Sequence, residues 1–472
     1  MTKRHSGFQL WYIRVFLNVF FASMLLACSP DDGWKQVPEI LNNISRTQFP
    51  NIDYSITAYG AVGDGVTDCT ESIKNAIDSC HANGGGRVVV PEGVYLTGSI
   101  RLKSNVNLYI SQNATLKFSK SPDDYMPVVL TRFEGVECYN YSPFIYAYKE
   151  ENIAITGAGT LDGQADSTNW WSWKGLPEYG WQPGKPSQFD DVEALYNMPE
   201  QNIPVDERIF GKGHYLRPNF IQPYQCKTVL VDSVTIQRSP MWGINPVLCT
   251  DVIVQNVTVN SHGPNNDGCN PESSRNVWIH HCFFNTGDDC IAIKSGRNAD
   301  GRRINVPSEN IVVQDCVMRD GHGGVVIGSE ISGNCRNIFA ENCIMDSPHL
   351  ERALRIKTNS LRGGVVENVY MRNITVGQVS DAVIKINFHY VEGDIGEHVP
   401  RVEGIYLDNV TSSKSLYALD FNGYERSPIS HVVIRNCNFS GVMNGNILNH
   451  VTHLDLVNTT LNGSLFVENS SN

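Results

Sequence analysis

Apolar and polar positions alternate in short runs along most of the chain, and from about residue 229 the runs repeat. The segments "TVLVDSVTI", "DVIVQNVTV", "NVWIHHCFF", "NIVVQDCVM", "NIFAENCIM", "NVYMRNITV", "GIYLDNVTS", "HVVIRNCNF" and "HLDLVNTTL" share one pattern, an alternating strand, a polar turn residue and a second short strand. Their first apolar residues are Val229, Val252, Val277, Ile311, Ile338, Val369, Ile405, Val432 and Leu454, separated by 23, 25, 34, 27, 31, 36, 27 and 22 residues. Such a period suits one turn of a parallel β-helix, with loops taking up the longer gaps. Equal positions then stack about 4.8 Å apart, and the alternate apolar residues face a shared core. The expected fold class is all-β, a single-domain parallel β-helix solenoid.

Upstream, "DCTESIKNAIDSC" (Asp68 to Cys80) has helical spacing, with Ile73, Ala76 and Ile77 on one face and a capping-box start at Asp68 and Glu71. A solenoid has to cover its open end, so this short helix is expected as the N-terminal cap. "GGGRVVVPEGVYLTGSI" and "NVNLYISQNATLKFS" read as the first strands. Residues 163 to about 220 break the rhythm and carry Trp170, Trp171, Trp173 and Trp181. This insert fits either a self-packed loop or an aromatic wall of a carbohydrate groove, where flat rings stack on sugar faces.

The chain has 472 residues, 41% hydrophobic and 18% charged, with a formal net charge of -12. No basic face proposes nucleic acid as a partner, and an anionic substrate requires a local cationic pocket. Lys3, Arg4 and Arg14 precede an apolar run from Val15 to Ala27, the length of a signal-peptide core. The run ends in "LLAC" (Leu25 to Cys28), which resembles a bacterial lipobox; an uncleaved anchor is the alternative. The expected organisation is a signal peptide over 1-27, a lipidated Cys28, a tether over 28-48, the solenoid over 49-465 and a tail over 466-472. That places the protein on the bacterial envelope, attached to the outer membrane through a lipid. Of thirteen cysteines, twelve remain beside Cys28. An exported protein could pair them, but Cys282, Cys316, Cys343 and Cys437 share one repeated phase and read as buried, stacked apolar groups. No spacing resembles a zinc site.

The chemistry gathers on one strand of four successive coils. Asp267 to Ser274 ("DGCNPESS"), Asp288 to Ser295 ("DDCIAIKS"), His322 to Ser329 ("HGGVVIGS") and Glu351 to Thr358 ("ERALRIKT") each close on a hydroxyl residue. In that register Asp267, Asp288 and His322 begin their blocks and should stack on one face, beside Asp289. Lys294 and Lys357 share a phase, and Arg355 lies two residues before Lys357 on the same side of its strand. Cleaving a glycosidic bond takes an acid for the leaving oxygen and a base or nucleophile across the anomeric carbon. Three crowded carboxylates supply both, because mutual repulsion keeps one protonated. His322 can bias that proton. The cations suit a uronate better than a neutral sugar. A buried structural salt-bridge cluster is the bland alternative.

These residues resemble the polygalacturonase family, glycoside hydrolase family 28. The resemblance rests on "NNDG" (Asn265 to Gly268), "GDDC" (Gly287 to Cys290), "GHG" (Gly321 to Gly323) and "RIK" (Arg355 to Lys357) in that order, with "AYGAVGDGVTDCTESI" near the start, and covers roughly residues 50 to 460. It implies a right-handed parallel β-helix of the pectin-lyase-like kind that hydrolyses galacturonan with inversion, without metal or other cofactor. Asp288 would be the general acid, Asp267 and Asp289 would activate water, His322 would support the acid, and Arg355, Lys357 and Tyr390 would bind the sugar. An inverting enzyme should hold its carboxylates about 6.5 to 9.5 Å apart.

Three features depart from or extend the family pattern. Asn266 stands where the family usually shows Thr. Cys290 lacks the cysteine that fungal members use for a disulfide, with Cys269 a possible partner. The insert resembles the loops of exo-acting members, so release of terminal units is expected. The substrate could also be rhamnogalacturonan or a substituted galacturonan. A calcium-dependent lyase and a noncatalytic glycan-binding solenoid are the other readings. A capped acidic solenoid has no need of a protein partner, so a monomer is expected.

Overall fold

The computed structural model describes residues 33–467; the signal segment, Cys28 and the end of the tail lie outside these. The nine repeats form the expected ladder. Val229 pairs with Val252, Val252 with Val277, Val277 with Ile311 and Ile311 with Ile338. The series continues without a slip through Val369, Ile405 and Val432 to Leu454. All pairings in it are parallel, and the solenoid is right-handed. One apolar core runs the length of the molecule, from Ile56 to Phe466.

The polar turn residue of each repeat has a specific job. Asn256, His281, Asp315, Asn342, Asn373, Asn409, Asn436 and Asn458 all have φ between 48° and 56°, a left-handed conformation that Asn tolerates better than most residues. Their amides also bond rung to rung: Asn373 donates to Asn342 at 3.3 Å and Asn409 to Asn373 at 2.9 Å. The cysteines that follow are buried thiols bonded to carbonyls. The twelve cysteines among the described residues are all free.

Two N-terminal expectations are corrected. The segment expected as a tether contains helix α1 (Val37–Asn43), because Trp34, Val37 and Ile40 form an apolar face that packs on Val312, Phe339 and Tyr370 on the outside of the coils. Trp34 lies edge-on to Phe339, with ring centroids 5.5 Å apart. The end cap is helix α2 (Thr70–Ala82), which buries Ile73, Ala76, Ile77 and Cys80. Its start is not the reciprocal box: Asp68 lies one residue before the N-cap and accepts from the Thr70 N–H and hydroxyl, while Glu71 pairs with Lys74.

The face that carries the site is a six-stranded parallel sheet. Its strands are β1 (Ile291–Ile293), β2 (Val325–Gly328), β3 (Arg352–Lys357), β4 (Ala382–Asn387), β5 (Tyr417–Asn422) and β6 (Ile447–Asn449). Ile291, Ile293, Leu354 and Ile356 point into the core, so their neighbours Lys294, Arg355 and Lys357 point outward. The insert folds over one end of this face with helix α3 (Phe189–Glu200), beside helix α4 (Asn298–Ile304).

Candidate active site

An open cleft of about 860 Å³ lies on this sheet, lined by Asp267, Asp288, Asp289, Lys294, His322, Lys357 and Tyr390 among others. Arg355 stands beside it, 3.8 Å from Asp289. The structure therefore brings together every site residue expected among the described residues.

The register differs from expectation by one residue at the first block. Ile291 pairs with Val325, so Asp288 and His322 share a phase as expected. Cys269, however, pairs with Ile291 and Glu272 with Lys294, which sets Asp267 opposite Asp289. The doublets Asp288-Asp289 and Ser273-Ser274 make both alignments look consistent in sequence. Cys290 and Ile291 are both buried in the core, so apolar character fits either partner for Cys269, and only the backbone bridges separate the two alignments. The same shift places Cys290 opposite Gly268, so Cys269 and Cys290 are not phase partners; both are free thiols.

Burial and charge divide the three carboxyls. Asp267 is 3% exposed, and burial, reinforced by the charges of Asp288 and Asp289, pushes its pKa well above the carboxylate range. Its Oδ2 accepts from Asn270 at 2.7 Å. Burial would raise Asp288 too, but the hydrogen bond and charge of His322, with the charges of Lys357 and Lys294, reverse the sign and hold it below the usual range. His322 Nδ1 lies 2.9 Å from Asp288 Oδ1, and that bond raises the imidazole to about 9. Asp289 receives the Lys357 ammonium at 2.8 Å. Oδ1 of Asp267 and Oδ1 of Asp289 are buried without a hydrogen-bond partner from the protein.

One oxygen each of Asp288 and Asp289 and a His322 nitrogen lie within 4.8 Å of one another. These three atoms could contact a cation, but the lysine and arginine beside Asp289 already supply positive charge there. The aromatic side chain of Tyr390 lies under both sugar-binding candidates, its centroid 5.4 Å from the Arg355 guanidinium and 5.3 Å from the Lys357 ammonium.

Sequence reasoning missed the charged wall of the cleft. Lys294 is bonded to Glu330 at 3.0 Å, so its charge is already matched. Arg297 reaches Glu330 and Glu392 at 3.4 and 3.3 Å, and Arg362 reaches Glu392 at 3.1 Å. The Arg297 guanidinium also stacks 3.6 Å over Tyr196 of α3, which ties the insert to the coils. These residues share no phase in the repeat, so only the fold assembles them. Of the two readings of the insert, an aromatic wall and a packed loop, its tryptophans follow the second, since none of them lines the cleft. Trp170 is 1% exposed and packs on Tyr125, Phe144 and Trp173, and Trp171 donates to the Ser239 carbonyl at 2.8 Å. Trp170, Trp171 and Trp173 anchor the insert on the solenoid core, and what it presents to the cleft is Lys174 and Tyr196.

Comparison with known proteins gives the same picture. The family model for glycosyl hydrolases family 28 matches residues 210–459, and that for rhamnogalacturonase A/epimerase, pectate lyase-like, matches residues 54–121. The crystal structure of a hyperthermoactive exopolygalacturonase from Thermotoga maritima is 47% identical, covers 92% of this chain and 97% of its own, and superposes with a TM-score of 0.89. An exo-poly-alpha-D-galacturonosidase of Dickeya chrysanthemi is 27% identical, over 84% of this chain and 69% of its own length. A probable polygalacturonase of Vitis vinifera is 28% identical, over 81% and 73%.

Proposed function

This chain belongs to glycosyl hydrolase family 28, and we propose that it is a polygalacturonase that releases terminal galacturonate units from pectic chains. The observation that carries the reading is the carboxyl trio with two lysines and an arginine at hand: a group that can protonate, a group that can take a proton, and a cationic seat for a uronate. Relatives named as exo-acting support terminal release, as does the insert folded over one end of the cleft.

In this reading the uronate carboxylate binds Arg355 and Lys357, over Tyr390. Its negative charge offsets cations that hold Asp288 ionised, so the Asp288 pKa rises. Asp288 then takes the proton from His322 Nδ1 along their hydrogen bond and donates it to the glycosidic oxygen as the bond to the anomeric carbon breaks. Water held between the unpartnered oxygens of Asp267 and Asp289 attacks the same carbon from the other side and loses its proton to Asp289. The anomeric configuration inverts.

The test is a timed digest of polygalacturonate with chelator present, resolving product size and anomeric configuration. Galacturonate monomer of inverted configuration should lead, and Asp288→Asn should lose about 10²- to 10⁴-fold in kcat while still binding oligomers. Long oligomers appearing first would exclude terminal release, unsaturated ends would exclude hydrolysis, and activity confined to rhamnogalacturonan would move the substrate. The lipobox further supports attachment to the envelope at Cys28, with the capped solenoid a monomer on that anchor. Cys28→Ala should move the protein from the membrane to the soluble fraction, and light scattering of that form should give one chain's mass.

A further inference from the structure

The cations around the cleft are not equally matched. Arg355 and Lys357 face Asp289, Lys294 and Arg297 face Glu330, and Arg362 faces Glu392. Lys174 and Arg217 form no contact ion pair among the described residues, and the charge of Glu134, on the same cleft, acts on both from longer range. Lys174 Nζ donates to Asn265 Oδ1 at 2.9 Å. Arg217, 1% exposed, donates to the same oxygen at 2.7 Å and otherwise to Gln188 Oε1 and to the carbonyls of Pro240 and Pro264. One neutral amide oxygen thus serves a buried guanidinium and a half-buried ammonium. Burying a charge without a counter-ion in contact is costly, and burial lowers the pKa of both groups, Arg217 to about 10, against the more distant charges of Glu134, Asp288 and Asp267. A site with this imbalance attracts an anion. Lys174 and Asn265 line the same cleft as the carboxyl trio. Asn265 belongs to the coil of Asp267, whereas Arg355 and Lys357 lie on β3, on the other side of the Asp288 rung. The two cationic seats therefore flank the acid.

We propose that Lys174 is a specificity-determining residue whose ammonium binds the carboxylate of the galacturonate unit to be released, across the scissile bond from the unit held by Arg355 and Lys357. Arg217 is a positioning residue that fixes Asn265 behind it. This rests on the galacturonan reading above. It makes the enzyme require a free acid on the released unit, so a methyl ester there is discriminated against.

The test compares trigalacturonate with the same trimer methyl-esterified on the released unit, using wild type, Lys174→Met and Lys174→Arg. Wild type should favour the free acid by tenfold or more in kcat/KM. Lys174→Met should lose at least tenfold on the free acid and change little on the ester, while Lys174→Arg keeps most of the preference. An equal fall on both substrates, or an unchanged preference in Lys174→Met, would assign Lys174 a structural role and overturn the proposal. Because the readout is a ratio within each variant, partial loss of folded protein does not alter it. Wild type inactive on both trimers would instead remove the galacturonan reading, and this inference with it.

Discussion

At Asp288 burial and neighbouring charge oppose one another, and charge prevails. The consequence is a proton stored on His322, raised to about 9 by its bond to Asp288. The sign follows from linkage. Below about pH 6.5, the ordinary histidine value, the imidazolium is present folded or unfolded and the bond's contribution is complete. Between there and about 9 the contribution falls, and above 9 it is lost. In the proposed mechanism the same proton feeds Asp288, so kcat/KM should decline on the alkaline side with an apparent pKa near 9. His322→Gln, which can donate a hydrogen bond but not deliver a proton, should show a lower kcat and no limb in that position. A pH–rate profile of both proteins checks this, and an unmoved limb in the variant would exclude His322 as its source.

At the scale of the element, each coil is held by its core residues and by the left-handed turn between its two strands. Asn373 bonds to the rungs on both sides, as acceptor from Asn409 and donor to Asn342. Alanine there loses both bonds and keeps a Cβ in the αL region, which costs roughly 1–2 kcal/mol. Glycine loses the bonds without the steric cost. Asn373→Ala should therefore be less stable than wild type by about that amount in urea unfolding, with Asn373→Gly between them; equal losses in the two variants would mean that the bonds, not the backbone, dominate. The strand of the first catalytic block shows where such regularity ends. Around Asp267 the chain makes only isolated bridges, at Cys269 and Glu272. Where ladder pairing is that sparse, leading Asp and closing Ser residues mimic a register one residue away from the one the backbone bridges set.

For the molecule as a whole, the described domain begins before its first coil. Trp34, Val37 and Ile40 cover Val312, Phe339 and Tyr370, residues far along the chain. A protein starting at residue 49 should lose on the order of 3 kcal/mol or more relative to one starting at residue 31, with a lower unfolding midpoint but the same product pattern. Equal midpoints would show that α1 contributes no stability. The cleft depends on the whole solenoid too: its acids come from consecutive coils, Arg355 and Lys357 from β3, and Lys174 and Tyr196 from the insert.

The sequence by itself determined the solenoid, because a repeat of strand, left-handed turn and strand admits little else once nine copies must share one core. It also brought Asp267, Asp288, Asp289, His322, Arg355 and Lys357 to one face, since equal phase in a stacked ladder means adjacency in space. Only the tertiary structure decided which Asp of the doublet faces Asp267, because the sequence pattern fits two registers and the backbone bridges at Cys269 and Glu272 select one. The same holds for the charged wall of Glu330, Arg297, Arg362 and Glu392, and for the convergence of Lys174 and Arg217 on Asn265. Those residues come from loops and an insert with no period, so nothing in their spacing records where the fold brings them.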